Sequence, residues 1–185
     1  IPIMMTTMIG MIALSTFSYD EIAKSDKYIL SLPTNKKEIV IEKYILVIFS
    51  ILIGAILGFI ITPIIINAIN YFNKGNSINI DYNLLLTTTI GGIFGISLVS
   101  GIQIPSIYKW GAEKGRIQMF ILVFGLIAII GGIGYLLVKA NININFNMFN
   151  NFLDKFGLTL LIVTSCIILY ISYKIAHKIY LEKEN

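Results

Sequence analysis

Residues 44–66 read Y-I-L-V-I-F-S-I-L-I-G-A-I-L-G-F-I-I-T-P-I-I-I, without a single charged side chain. As an α-helix the run rises about 35 Å at 1.5 Å per residue, more than the roughly 30 Å of a bilayer's hydrocarbon core. The pattern recurs on both sides, marking five membrane segments at 1–18, 44–66, 84–108, 117–138 and 157–173. Lipid offers no partner to a free backbone N–H or C=O, so each segment is predicted to be helical and the fold an all-α polytopic bundle, a single domain over 1–185. Composition agrees: 56% of residues are hydrophobic and only 13% charged, against about 25% charged in soluble domains.

Outward from that run lies the most polar part of the chain. Residues 19–43 hold Asp20, Glu21, Asp26, Glu38 and Glu42 beside Lys24, Lys27, Lys36, Lys37 and Lys43. Ser18-x-x-Glu21 is spaced as a capping box and Asn35-x-x-Glu38 as its Asn analogue, with Pro33 and Thr34 breaking the run between. The spacing predicts a helix over 19–31, a sharp turn, and a second helix from about 36 that continues into the span at Tyr44. A second polar stretch, K-W-G-A-E-K-G-R at 109–116, has Gly111 and Gly115 placed for a tight reversal between two neighbouring spans.

Lysine and arginine are unevenly divided. Eleven of the fourteen lie in 19–43, in 109–116 and after 173, and three in 67–83 and 139–156. The positive-inside rule therefore places the first set in the cytoplasm, leaving residue 1 outside and the C-terminus inside a bacterial plasma membrane. Tyr108, Trp110, Tyr170 and Tyr173 sit where an inner aromatic belt is expected. The opening I-P-I-M-M lacks an initiating Met and a basic leader region. An outside residue 1 implies an upstream span, six in all.

The external segments differ in kind. Residues 67–83 are Asn-rich; 141–148 alternate polar and apolar with the period of a strand, and Phe149, Phe152, Leu153 and Phe156 take helical spacing, predicting a short amphipathic helix at the outer surface within 139–156. Gly54-x-x-x-Gly58 and Gly91-x-x-x-Gly95 allow close helix approach, either within one subunit or at a dimer seam. Gly92 and Gly101 extend the second small face, and Thr87, Thr88, Thr89, Ser97 and Ser100 are candidates for hydrogen bonds across helices. Pro63 and Pro105 near span ends are expected to terminate or kink their helices. Cys166, the lone cysteine, is expected to pack as a small hydrophobe.

Catalytic chemistry finds no foothold. There is no G-x-x-x-x-G-K-S/T phosphate loop, no His or Cys spacing suited to a metal, and no Ser/His/Asp set; His177 is the one histidine. The spans carry no mid-depth acid or base of the kind that marks an ion-coupled carrier. A charge of +4 placed beside the spans indicates membrane orientation, not nucleic-acid binding. Any energy source is expected on another chain.

The two polar stretches, Y-D-E with S-D-K-Y-I-L-S-L-P-T-N-K-K-E-I-V-I-E-K-Y over 19–44 and P-S-I-Y-K-W-G-A-E-K-G-R over 105–116, resemble those of the permease subunits of bacterial ABC type-2 transporters. The resemblance implies a six-helix permease, of which five spans are present here, working without a cofactor of its own. It also implies pairing with a second permease subunit, as homo- or heterodimer, in membrane lipid, and with two cytoplasmic ABC ATPase subunits. The coupling helix of that family maps to 19–43, with Asp20, Glu21, Lys24, Asp26, Lys27, Pro33, Lys36, Lys37 and Glu38 as candidate ATPase-coupling residues. Its second internal contact maps to 109–116, with Lys109, Trp110, Gly111, Glu113, Lys114, Gly115 and Arg116. The segment 139–156 corresponds to the external cap. Two other roles suit the same sequence: a membrane scaffold, immunity or sensor subunit, and a passive pore built on the small-residue faces.

Overall fold

The computed structural model describes residues 1–23, 36–72, 78–139 and 147–182. They form five helices: α1 Pro2–Ile22, α2 Lys36–Phe72, α3 Tyr82–Trp110, α4 Ala112–Lys139 and α5 Asn147–Glu182. Counted on the described residues alone, four stretches are long and apolar enough to cross a bilayer: Pro2–Asp20, Lys37–Phe72, Tyr82–Trp110 and Phe156–Glu182. No strand occurs among the described residues.

Each long helix is apolar on both sides, as a span must be. On α2 the inner face is Val40, Tyr44, Val47, Ile51 and Ala55, while Ile45, Phe49, Leu52, Ile56, Ile60 and Ile64 point outward at the same helical spacing. Helix α3 is the hub, packing on all four others; α1 lies between α2 and α3, and α5 covers α3 and α2. Because lipid is as apolar as leucine, close backbone packing rather than water exclusion holds such helices together. Glycines accordingly stand where the backbones come closest. A Cβ added at Gly54 would stand 2.9 Å from the Thr6 Cα, at Gly58 2.9 Å from the Pro2 Cα, and at Gly92 3.1 Å from the Ile3 Cα. Helix α1 thus rests in a cradle of α2 and α3 glycines. Gly10 in turn receives Ile96, and Gly101 receives Ile168 of α5.

Several expectations need correcting. Helix α1 runs through Ser18 to Ile22, so Ser18 lies inside a helix and not at the start of one: an apolar helix already under way continues through the polar residues. Residues 24–35, including Pro33 and Asn35, lie outside the described residues, as do 140–146. Residues 147–156 form the opening turns of α5 and not a separate surface helix. Pro63 and Pro105 lie inside α2 and α3 and terminate neither. Beside each, a hydroxyl bonds the carbonyl four residues back, Thr62 to Gly58 at 2.6 Å and Ser106 to Ile102 at 2.8 Å.

The hydroxyls on α3 also turn to their own helix. Thr87 donates to the Asn83 carbonyl, Thr88 and Thr89 to Leu85, Ser97 to Ile93 and Ser100 to Ile96, at 2.7 to 3.0 Å. Back-bonding satisfies a buried hydroxyl without any partner helix, which removes the cost of an unpaired polar group in an apolar interior. Cys166 is exposed on the outer surface of α5 and does not pack inside.

At the end of the bundle where α2 stops, Asn70 binds both backbone groups of Ile78. Its amide donates to the Ile78 carbonyl at 2.9 Å, and the Ile78 N–H donates to its side-chain oxygen at 2.7 Å. Asp81 then caps α3, accepting the N–H groups of Asn83 and Leu84.

Candidate interaction face at the charged end of the bundle

The opposite end collects the charged residues. Helices α1, α3 and α5 finish there and α2 and α4 begin there, and aromatic side chains join them. Phe17 of α1 meets Tyr108 of α3 edge to face at 5.9 Å, and Tyr108 meets Tyr180 of α5 at 5.4 Å. Tyr44 of α2 meets Tyr173 of α5 at 5.6 Å, and their neighbour His177 lies 5.9 Å from Tyr173. The Tyr44 and Ser172 hydroxyls, both buried, are 2.6 Å apart. Tyr173, His177 and Tyr180 repeat at helical spacing, so one face of α5 supplies three members. The helix had to extend well beyond residue 173 to bring Tyr180 onto Tyr108. Of the four residues expected in an aromatic belt, Trp110 and Tyr170 are exposed, whereas Tyr108 and Tyr173 turn inward onto the core. The Nε2 atom of His177 is buried without a hydrogen-bond partner among the described residues.

Around this aromatic plug lie the charges. Lys43 of α2 forms an ion pair with Asp20 of α1, and its ammonium sits 5.4 Å from the centre of the Phe17 ring. Lys37, Glu38 and Glu42 are exposed on the first turns of α2. Glu21, Lys36 and Arg116 are helical in backbone, belonging to α1, α2 and α4. Lys24, Asp26, Lys27 and Pro33 fall outside the described residues.

The reversal at 109–116 is tighter than an eight-residue loop. Gly111 alone separates α3 from α4, with φ 87° and ψ 167°, a region essentially closed to residues with a Cβ. Its N–H donates to the Ile107 carbonyl at 2.8 Å, and its own carbonyl accepts the Gly115 N–H at 2.9 Å. Gly115 faces the Ile107 backbone, where an added Cβ would be 3.1 Å from the Ile107 nitrogen. The two glycines therefore press the start of α4 against α3. Lys109 lies over the Trp110 ring at 4.5 Å, and Glu113 and Lys114 are exposed on the first turn of α4. Glu113 is well placed there, since a helix N-terminus carries partial positive charge.

The structure thus brings the described parts of both polar stretches to one end of one bundle, joined through Phe17 and Tyr108. Lys43 and Tyr44 escape a reading of the sequence for exposed charge, because both serve the interior. Their signal is positional: they are the first buried or half-buried polar residues where α2 enters the core. The face offers exposed charge of both signs over a rigid apolar base, an arrangement suited to docking a folded partner.

The small-residue motifs divide. Gly54 and Gly58 face α1 of the same chain, whereas a Cβ at Gly91 or Gly95 would have nothing within 4 Å among the described residues.

Nothing among curated proteins or solved structures matches the chain. The family model for the ABC-2 family transporter protein matches residues 1–181. With its apolar helices and their charged ends gathered on one side of the bundle, the chain belongs to the ABC-2 family of transporter membrane proteins and is a permease-type membrane component.

Proposed function

We propose that this chain is the permease subunit of an ATP-driven exporter, with five of its helices spanning the bacterial plasma membrane and its charged end in the cytoplasm. Residue 1 then lies outside and the C-terminus inside, the orientation favoured by the lysine distribution. The chain pairs with a second permease subunit to enclose the substrate path and takes its energy from separate ABC ATPase subunits docked on the charged end. What supports this reading above all is the convergence of the described parts of the 19–43 and 109–116 stretches on one face, with Lys37, Glu38, Glu113 and Lys114 exposed.

ATPase closure presses on both stretches and tilts the attached helices around the path. Such a shift requires that the ATPase contact the two states differently. Charge reversal of Glu113 tests the docking directly. Glu113→Lys is expected to lower the ATP turnover stimulated by the permease several-fold while membrane insertion stays normal. Wild-type stimulation in that variant would remove the α3–α4 reversal from the docking face. Capture of the wild-type chain with no ATPase would favour a scaffold.

A further inference from the structure

The chain leaves α1 at Ile22 and enters α2 at Lys36, so a force on the segment between them reaches the bundle at two helix ends. Just inside those ends the helices are tied. The Lys43 ammonium holds the Asp20 carboxylate and covers the Phe17 ring, both on α1. The next residue, Tyr44, bonds Ser172 on α5. The pair is partly shielded, with the Lys43 side chain 19% exposed and that of Asp20 37%. Its attraction is therefore less screened than that of an ion pair in open water.

Seven residues of α2 precede Lys43, a rise of roughly 10 Å, and they present Lys37, Glu38 and Glu42 outward. These first turns form a lever whose inner end is fixed to α1 by one ion pair and to α5 by one hydrogen bond. Deeper in the bundle α1 and α2 are already packed through the core and the glycine cradle; the ion pair extends that joint to the helix ends that carry the charged segment.

We infer that Asp20 and Lys43 are positioning residues whose ion pair couples α1 to α2 under load, and that Asp20 serves this internal tie instead of touching the partner. The inference rests on the ATPase-docking reading above. It assigns Asp20 a role different from that of the exposed charges around it.

The test uses the full chain purified with the ATPase it captures. Asp20→Asn and Lys43→Gln are each expected to retain the ATPase while stimulated ATP turnover falls at least fivefold. The exchange Asp20→Lys with Lys43→Asp is expected to restore turnover to within twofold of wild type. Single variants that couple normally, lose the ATPase from the complex, or stay uncoupled in the exchange would overturn the assignment. A second measurement needs no ATPase. Spin labels at Tyr19→Cys and Ile41→Cys, with Cys166→Ala, report the α1–α2 distance; Lys43→Gln is expected to broaden it, and an unchanged distribution refutes the tie. A wild-type chain that captures no ATPase defeats the docking reading, and the label distances still decide whether the two helices are tied.

Discussion

Gly54 and Gly58 on α2 and Gly91 and Gly95 on α3 share one spacing and meet opposite surroundings. The first pair lies against the α1 backbone, so closely that even a methyl group would collide; at the second a methyl group would meet nothing within 4 Å among the described residues. Spacing alone cannot separate them, because it states only that two helices are permitted to come close. The missing half of the joint is on α1. Thr6, fully buried, satisfies its hydroxyl on the Pro2 carbonyl at 2.9 Å, and with Gly10 and Ala13 it makes α1 narrow enough to enter the cradle. On α3 the glycine that receives α1 is Gly92, about 100° around the helix from Gly91.

The most damaging way to break this contrast is to fill the covered pair. Gly54→Ala and Gly58→Ala place methyl groups against backbone atoms that cannot swing aside, and each is expected to cost about 1–3 kcal/mol. The double variant should show a much lower thermal midpoint in detergent and poor recovery from membranes. A midpoint like that of wild type would mean that α1 does not lie in the cradle. Next comes a glycine required for backbone shape and not for space. Gly111→Ala forces a side chain into a region nearly reserved for glycine, at about 1–3 kcal/mol for the single change. The expected result is a lower midpoint, with proteolysis concentrated at the α3–α4 junction; wild-type resistance there would refute the one-residue reversal.

These cases show what a sequence can and cannot carry in lipid. Apolar length and lysine distribution mark out most of the helices, since both reflect the solvent along the chain. Gly111 and Gly115 were also legible, because a glycine pair in a short polar stretch between spans leaves few alternatives. Hidden were features that depend on the third dimension. The continuation of α1 through Ser18, the inward turn of Tyr108 and Tyr173, and the partnership of Lys43 with Asp20 all follow from what stands across from each residue. Polar side chains misled in a consistent way. A hydroxyl on α3 looks equipped to reach another helix, yet its own carbonyl four residues back lies nearer and asks for no alignment of two helices.

Tyr44 and Ser172 behave differently, a hydroxyl pair that does cross between helices. Removing it sharpens the comparison by asking how much one polar contact adds to close packing. Hydrogen bonds between helices in a bilayer average about 0.6 kcal/mol, so Tyr44→Phe, which keeps the ring against Tyr173, is expected to lower the midpoint only slightly. A loss as large as that from filling Gly54 would show that polar pairing, and not small-residue contact, dominates this bundle.

The smallest effect on the isolated chain belongs to the uncovered pair. At Gly91 and Gly95 an added Cβ meets nothing within 4 Å among the described residues, and alanine favours helix over glycine by about 1 kcal/mol. Gly91→Ala with Gly95→Ala should therefore leave the monomer's thermal midpoint unchanged or slightly raised. Leucine at both sites makes the decisive version, because its bulk obstructs a second helix seated there far more than a methyl group does. If the face is open in the membrane, Gly91→Leu with Gly95→Leu leaves molecular mass in detergent and lipid nanodiscs unaltered. If a second permease subunit packs there, the same variant keeps monomer stability and loses the dimer. A destabilised monomer would contradict both outcomes and place a helix of this same chain over Gly91 and Gly95.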